Sequence, residues 1–252
     1  MDEFTTWDIL ALSEYKYLPF YDEAQEKEYL RYHKLHKHCN WIEAITYVNI
    51  GLLEEFYSNI TLISNPDNPL VLVNKYRQLP SEYTPCDLEP IDVQFNPQGL
   101  LLRRDARIAF EDMCSGAAKE GLHLEAISTF RSFSYQNKVY LKNKLPDMNM
   151  EDYQRERDKV SARAGHSEHQ TGLAVDINDL EQTFENTPEG RWLADHAHWY
   201  GFILRYPKGR ERITGYDYEP WHFRYLGKEL AKAVHQSNLT YDEYYIRYLH
   251  SF

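Results

Sequence analysis

Two stretches of this chain bring together side chains of the kind that bind a metal. The first is Ser167-x-His169-x-x-Gly172-x-Ala174-x-Asp176, which offers an imidazole and a carboxylate. The second is Glu219-Pro-Trp221-His222-Phe-Arg224-Tyr225, which offers another imidazole with a spare carboxylate at Glu219-x-x-His222. Three protein ligands, an open position for water and a base beside it are what a catalytic zinc ion requires. His169, Asp176 and His222 can fill the ligand places, and Glu219 is placed to take a proton from water. The chain contains 11 histidines. Any one of them alone would read as a surface or core residue, so the joint pattern carries the metal reading.

The elements that must hold these residues follow from the same spacing. Gly172 permits a sharp turn after His169. Leu173-Ala174-Val175-Asp176-Ile177 reads as a short strand, with Leu173, Val175 and Ile177 on one face. Ala174 and Asp176 then share the other face, and the small alanine clears space beside the carboxylate. Pro220 to Tyr225 is aromatic and alternating, which also suits a strand; Phe223 would point away from His222. Trp221 reads equally as core or as part of a cleft. Ser167 reads equally as a donor to a ligand or as a local cap.

The two motifs together resemble the zinc D-alanyl-D-alanine carboxypeptidases of the VanY type. Relatives of that family are the L,D-carboxypeptidases of peptidoglycan and the VanX-type dipeptidases, and the wider fold is shared with the hedgehog signalling domain and lysostaphin-like peptidases. By eye the resemblance covers about residues 70–230. It implies that His169, Asp176 and His222 bind Zn2+ and that Glu219 is the catalytic base. It also implies an α+β fold, a small and mainly antiparallel sheet with packed helices. Helix–strand alternation alone would suggest a parallel sheet. A further likeness lies in Arg131-Ser132 with Tyr135-Gln136, matching a family element whose arginine reaches the active site. Arg131 would then stabilise an oxyanion or hold a carboxylate by two hydrogen bonds, and Gln136 and Ser167 would contact substrate. Ala164 stands where relatives often have proline, which changes a loop but no ligand. The implied activity is removal of the C-terminal D-alanine from peptidoglycan stem peptides or precursors. D,D specificity is the leading expectation and L,D the alternative. A non-catalytic zinc-containing module and a cross-bridge endopeptidase are the further readings.

Composition limits other functions. Of 252 residues, 28 are Lys or Arg and 39 are Asp or Glu, a net charge of −11. That disfavours nucleic acid as a partner, because phosphate binding needs clustered cations. A hydrophobic fraction of 42% argues for a folded chain. No apolar run is long enough for an integral membrane segment. Three cysteines, Cys39, Cys86 and Cys114, have no metal-ligand spacing and are too few and uneven for a disulfide framework. Residues 1–7 lack the basic and apolar regions of a signal peptide. The cell envelope is therefore expected from the substrate class, and the cytoplasm if Met1 is the native start.

The Pro/Asn-rich link Ser64–Pro69 marks a domain boundary. Before it, residues 1–66 form a mainly helical extension, with a helix expected over Glu23–Leu35. The basic run His33–His38 reads as a solvated helix face. After it, residues 67–252 form the catalytic domain. A strand is expected over Leu70–Tyr76 and another over Leu124–Phe130. Asp105–Gly121 reads as a helix capped by Asp105, with Ile108, Met113 and Ala117 facing the core. Thr187-Pro188 opens a helix running through Trp199, in which His196 and His198 are structural. His166 reads as a solvent-facing loop residue. A final amphipathic helix is expected from Leu239 to Leu249.

Overall fold

The computed structural model describes residues 4–96 and 98–250. Its centre is a four-stranded sheet in the order β5 (Ala126–Ser128), β6 (Ala174–Ile177), β8 (His222–Tyr225), β7 (Phe202–Leu204), antiparallel throughout. The chain reaches it through helices α1 (Thr6–Ser13), α2 (Glu26–Leu35) and α3 (Trp41–Ile50). Two small pairings follow. Strand β1 (Thr61–Leu62) lies parallel to β2 (Arg77–Gln78), and β3 (Leu88–Pro90) lies antiparallel to β4 (Leu101–Arg103). Helix α4 (Arg104–Ala118) leads into β5 (Ala126–Ser128), then α5 (Phe133–Leu141) and α6 (Met150–Arg157). Strand β6 (Ala174–Ile177), helix α7 (Pro188–His196), β7 (Phe202–Leu204), the single turn α8 (Glu211–Thr214) and β8 (His222–Tyr225) complete the sheet region. Helices α9 (Lys228–Ser237) and α10 (Tyr241–Tyr244) close the chain, the latter passing into a π-helical turn over Tyr245–Leu249. The architecture is the expected α+β fold, and none of the described helices is long and apolar enough to cross a membrane.

One face of the sheet makes the main core. Leu173, Val175, Ile177, Phe202 and Phe223 pack against Phe110, Met113 and Ala117 of α4 and Leu193 of α7. Each large apolar side chain removed from water in this way contributes about 2–3 kcal/mol. The alternation along β6 is the one expected, which leaves Asp176 for the opposite face. Register then matters. Asp176 is the direct cross-strand partner of His222, and Val175 is that of Phe223. A slip of one residue would bury the ligands in the apolar layer.

Several local expectations are corrected. Residues 70–76 do not form a strand. Their carbonyls are taken by side chains instead: Tyr241 Oη donates to Leu70, Arg224 to Val71 and Arg205 to Val73. Helix α4 begins at Arg104 with Asp105 in its first turn rather than as cap, and it ends at Ala118, before Gly121. Its buried positions are Ala106, Ala109, Phe110, Met113, Cys114 and Ala117, whereas Ile108 is exposed because it lies on the other side of the helical period. Strand β5 is confined to Ala126–Ser128. His166 is buried, with Nδ1 against the Asn74 carbonyl. Thr187 caps α7 with Pro188 in its first turn, as expected. The α-helix stops at His196, and a 3-10 turn follows over Ala197–Tyr200.

The N-terminal helices have a core of their own, and it is shared. Tyr29, Leu30, Ala44, Ile45 and Val48 cluster with Tyr76, Ile213 and Ile246. Arg247 Nε donates to Thr46 Oγ1 at 2.9 Å, and Tyr47 Oη donates to Glu243 at 3.3 Å. Cys39 and Cys114 are buried free thiols, and Cys86 is an exposed one.

Candidate active site

The ligand candidates are delivered by a 3-10 turn and two strands. Residues Glu168–Thr171 form the turn, capped by Ser167 Oγ, which accepts from His169 N–H at 3.3 Å. Gly172 ends it at φ +66°, and a Cβ there would lie 2.8 Å from Leu88 Cδ2. The left-handed φ favours glycine, and a Cβ would also make the Leu88 side chain shift. Arg131 N–H donates to the His169 carbonyl at 3.2 Å, which ties the turn to the segment after β5. His169 and Asp176 thus come from neighbouring elements, and His222 arrives across the β6–β8 ladder.

The side chains converge. One ligand atom from each of His169, Asp176 and His222 lies within 4.8 Å of the others, and all three residues are buried. His169 Nδ1 is 2.6 Å from the Thr129 carbonyl, so this nitrogen carries the proton and Nε2 is left with a lone pair. Nε2 is buried, without a hydrogen-bond partner, 3.2 Å from Asp176 Oδ2. His222 Nδ1 lies 2.9 Å from Asp176 Oδ1. Burial, reinforced by Arg131, pushes the His169 imidazole down to about 4. Burial opposes the charge on Asp176, but His169 and His222 hold its carboxyl well below the usual range. A neutral imidazole with an orphaned nitrogen beside an ionised carboxylate fits a divalent metal.

Glu219 and Arg131 flank this group. Glu219 is buried, and its Oε2 is 3.9 Å from His222 Nδ1. Burial raises its carboxyl to about 8; Asp176 adds to the rise, while His222 and Arg131 oppose it. The Arg131 guanidinium is held on three sides. Nε donates to Ser128 Oγ at 2.9 Å, Nη1 to Gln136 Oε1 at 2.9 Å and Nη2 to Asp176 Oδ2 at 2.9 Å. Gln136 is itself buried, and its Nε2 donates to the Ala162 carbonyl at 2.7 Å. Both ends of its amide are therefore engaged by protein.

These residues line a groove of about 600 Å³ that also presents Ser167, Tyr206, Tyr216 and Trp221. Trp221 answers to both of its readings, since it packs on the core as well as lining the groove. His196 stacks on Trp192 and His198 on His235, apart from the ligand group. Sequence reasoning missed the support behind His222. Glu168, Arg205, Arg224 and Asp242 form a buried ion network there. Residue type gives no signal for it, because arginine and glutamate are expected at the surface.

A groove floored by two imidazoles and a carboxylate, with a buried acid and a fixed guanidinium at its edge, defines a metal-dependent hydrolase. The VanY family model, D-alanyl-D-alanine carboxypeptidase, matches residues 99–228, and the chain belongs to that family. The Bacillus subtilis (strain 168) protein named "Putative carboxypeptidase YodJ" is 43% identical over 193 residues, 73% of this chain and 69% of that protein. The solved structure of the LdcB LD-carboxypeptidase superposes with a TM-score of 0.68 at 40% identity, covering 75% of this chain and 91% of that one. A mutant of the vancomycin resistance D,D-pentapeptidase VanY, solved in complex with Zn(II), gives a TM-score of 0.59 at 30% identity, covering 70% and 98%.

Proposed function

We propose that this chain is a zinc-dependent carboxypeptidase that removes the C-terminal D-alanine from peptidoglycan stem peptides or their precursors, with D,D specificity. The observation that carries the reading is the convergence of His169 Nε2, Asp176 and His222 Nδ1 beside a buried Glu219, in a chain of the VanY family. Residues 67–252 are the catalytic unit in this reading, with residues 1–66 packed on it.

His169, Asp176 and His222 would hold the zinc ion. When bound, zinc supplies a Lewis acid that polarises a carbonyl and acidifies water. Beside such a cation Glu219 would favour its ionised form over the raised value of the metal-free site. Its carboxylate takes the proton of the attacking water and returns it to the departing D-alanine nitrogen. Its buried position keeps that proton from bulk solvent. Arg131 directs its guanidinium toward the charge that grows on the scissile carbonyl oxygen, and its three contacts fix it there in advance. Gln136, with both amide ends engaged, acts by holding Arg131 instead of by touching substrate. The Ser167 hydroxyl accepts from His169 N–H and keeps its own hydrogen to donate to the peptide.

The 40% identity to the LdcB LD-carboxypeptidase favours a second reading, L,D-carboxypeptidase action on tetrapeptide stems. Incubating the protein with defined pentapeptide and tetrapeptide stems, with and without a chelator, and weighing the products separates the two. Chelator-sensitive release of D-alanine from the pentapeptide supports D,D action, and release only from the tetrapeptide transfers the assignment to L,D. Larger fragments would identify an endopeptidase. Intact peptides throughout would leave a binding module and end the proposal.

A further inference from the structure

Behind His222, on the side away from the groove, lies Glu168. Its side chain is completely buried, with 0% exposure. Its Oε1 accepts from Arg205 Nε at 2.8 Å and from Arg224 Nη1 at 2.9 Å. The other oxygen, Oε2, has no hydrogen-bond partner, and neither does His222 Nε2. These two buried atoms face each other at 3.6 Å. An unpaired buried polar atom is costly, and two that face each other at this distance are a donor and an acceptor one small shift from a hydrogen bond.

The charges behind the pair are balanced. Arg205 Nη1 donates to Asp242 Oδ2 at 2.6 Å, and Asp242 Oδ1 accepts from Asn74 at 2.8 Å. Arg224 Nη2 donates to the carbonyls of Pro69 and Val71. Two guanidiniums are thus matched by two carboxylates, so Glu168 is an anion and Oε2 can only accept. In the metal-free chain His222 Nδ1 stands 2.9 Å from the Asp176 carboxylate, which can only accept, so Nδ1 carries a hydrogen there. Once Nδ1 gives its lone pair to a metal ion, the hydrogen of the ring must stand on Nε2. The only acceptor the structure brings to that hydrogen, among the described residues, is Glu168.

We infer that Glu168 is the positioning residue for His222: its Oε2 accepts the Nε2–H, which locks the tautomer and ring orientation that turn Nδ1 toward Asp176 and the metal. The inference rests on the zinc reading above, because a metal ion at Nδ1 is what displaces the hydrogen that Nδ1 otherwise gives to Asp176. It also explains why the acid adjacent to His169 in sequence is turned away from the groove. His169 and Glu168 are neighbours that serve the site from opposite sides, one within the ligand group and one behind it.

The test uses the full chain with histidine ring nitrogens labelled for NMR. In the zinc-loaded wild type, His222 should carry its proton on Nε2. A proton on Nδ1 in that state overturns the inference without any variant. Glu168→Gln gives a second arm. The amide oxygen must face the two arginines, so the amide N–H groups face His222 and demand an acceptor there. The variant should disfavour the Nε2–H ring that zinc binding needs and weaken zinc binding roughly 10- to 100-fold in chelator competition, whereas Glu168→Asp should keep an acceptor for that hydrogen and recover part of the affinity. A folded Glu168→Gln protein that binds zinc as tightly as the wild type would overturn the inference alone. If the wild type itself binds zinc no better than His169→Ala, the metal reading fails and the inference falls with it.

Discussion

The guanidinium of Arg131 touches the carboxylate of Asp176, Nη2 to Oδ2 at 2.9 Å. A fixed cation therefore stands at the rim of the ligand group, and Ser128 and Gln136 prevent it from turning elsewhere. Lysine in that place would keep the charge and lose the fork that three partners grip. Arg131→Lys should lower kcat/KM by roughly 10²–10³-fold, with a melting temperature close to that of the wild type. Gln136→Leu should cost less, since it removes one hold of three. Wild-type turnover in Arg131→Lys would remove the arginine from the mechanism.

Glu219 and His169 separate chemistry from metal binding. Glu219→Gln should retain one zinc per chain while turnover falls roughly 10²–10⁴-fold, the usual range for a general base. His169→Ala should lose both metal and turnover. Metal content by atomic emission, read beside steady-state rates, checks the pair. An active Glu219→Gln protein would reject the base assignment.

The turn at Gly172 favours glycine. Its φ of +66° is strained for any L side chain, and a Cβ 2.8 Å from Leu88 Cδ2 and 3.0 Å from Arg103 Cγ would make those side chains shift. Gly172→Ala should destabilise the protein by about 1–3 kcal/mol in urea unfolding. Activity should fall with it, because the same turn carries His169. An unshifted unfolding midpoint would contradict this account.

Lys75 makes stability depend on pH. Its Nζ donates to the Asp158 carbonyl at 2.6 Å and sits over the rings of Phe56, Tyr57 and Tyr216 at 4.9, 5.3 and 4.3 Å. Burial pushes the ammonium down to about 8 from its ordinary 10.5. Between those values the unfolded chain holds a proton that the folded chain has released, so this group makes stability rise with pH, by at most about 1.4 kcal/mol per unit. Below pH 8 both states are protonated and the cost of burial is fully present. Buried tyrosines act in the opposite sense, but only above pH 10. Tyr29 and Tyr57, raised to about 12 by burial, stabilise the folded state below 10 and lose that contribution as pH climbs through their folded values. Burial opposes the charge on His222, but Asp176 and Glu168 raise it to about 9, and burial raises the Cys114 thiol; both groups act against this rise in the same range. The test is therefore a difference: between pH 8 and 10 the slope of urea-unfolding stability against pH should be more positive in the wild type than in Lys75→Met. Equal slopes in the two proteins would refute the assignment.

The candidate ligand set could be read from the chain because its spacing is dictated by local geometry. A glycine turn follows one imidazole, and a period-two strand carries the carboxylate away from the apolar face. The strand character of Leu124–Phe130 and Leu70–Tyr76 was overestimated for a common reason. Apolar runs report burial, and they do not say who accepts the backbone hydrogen bonds; in 70–76 the acceptors are engaged by Arg205, Arg224 and Tyr241. Ile108 misled because one large residue outweighed the small ones, Ala106 and Ala109, that form the packed face. The network around Glu168 was illegible, since nothing in a lone glutamate or arginine distinguishes a solvated charge from one matched in the interior.

The clasp between the first helices and the last has a consequence for how this molecule is made. Tyr47 and Glu243 are 196 positions apart, and Thr46 and Arg247 are 201 apart. At ordinary rates of translation, helix α3 leaves the ribosome roughly 10–40 s before its partners exist. Throughout that interval Ile45 and Val48 lack the apolar contact of Ile246. The opening of the polypeptide is therefore finished last, and a stop codon that removed only the final turns would undo the beginning of the chain as much as its end.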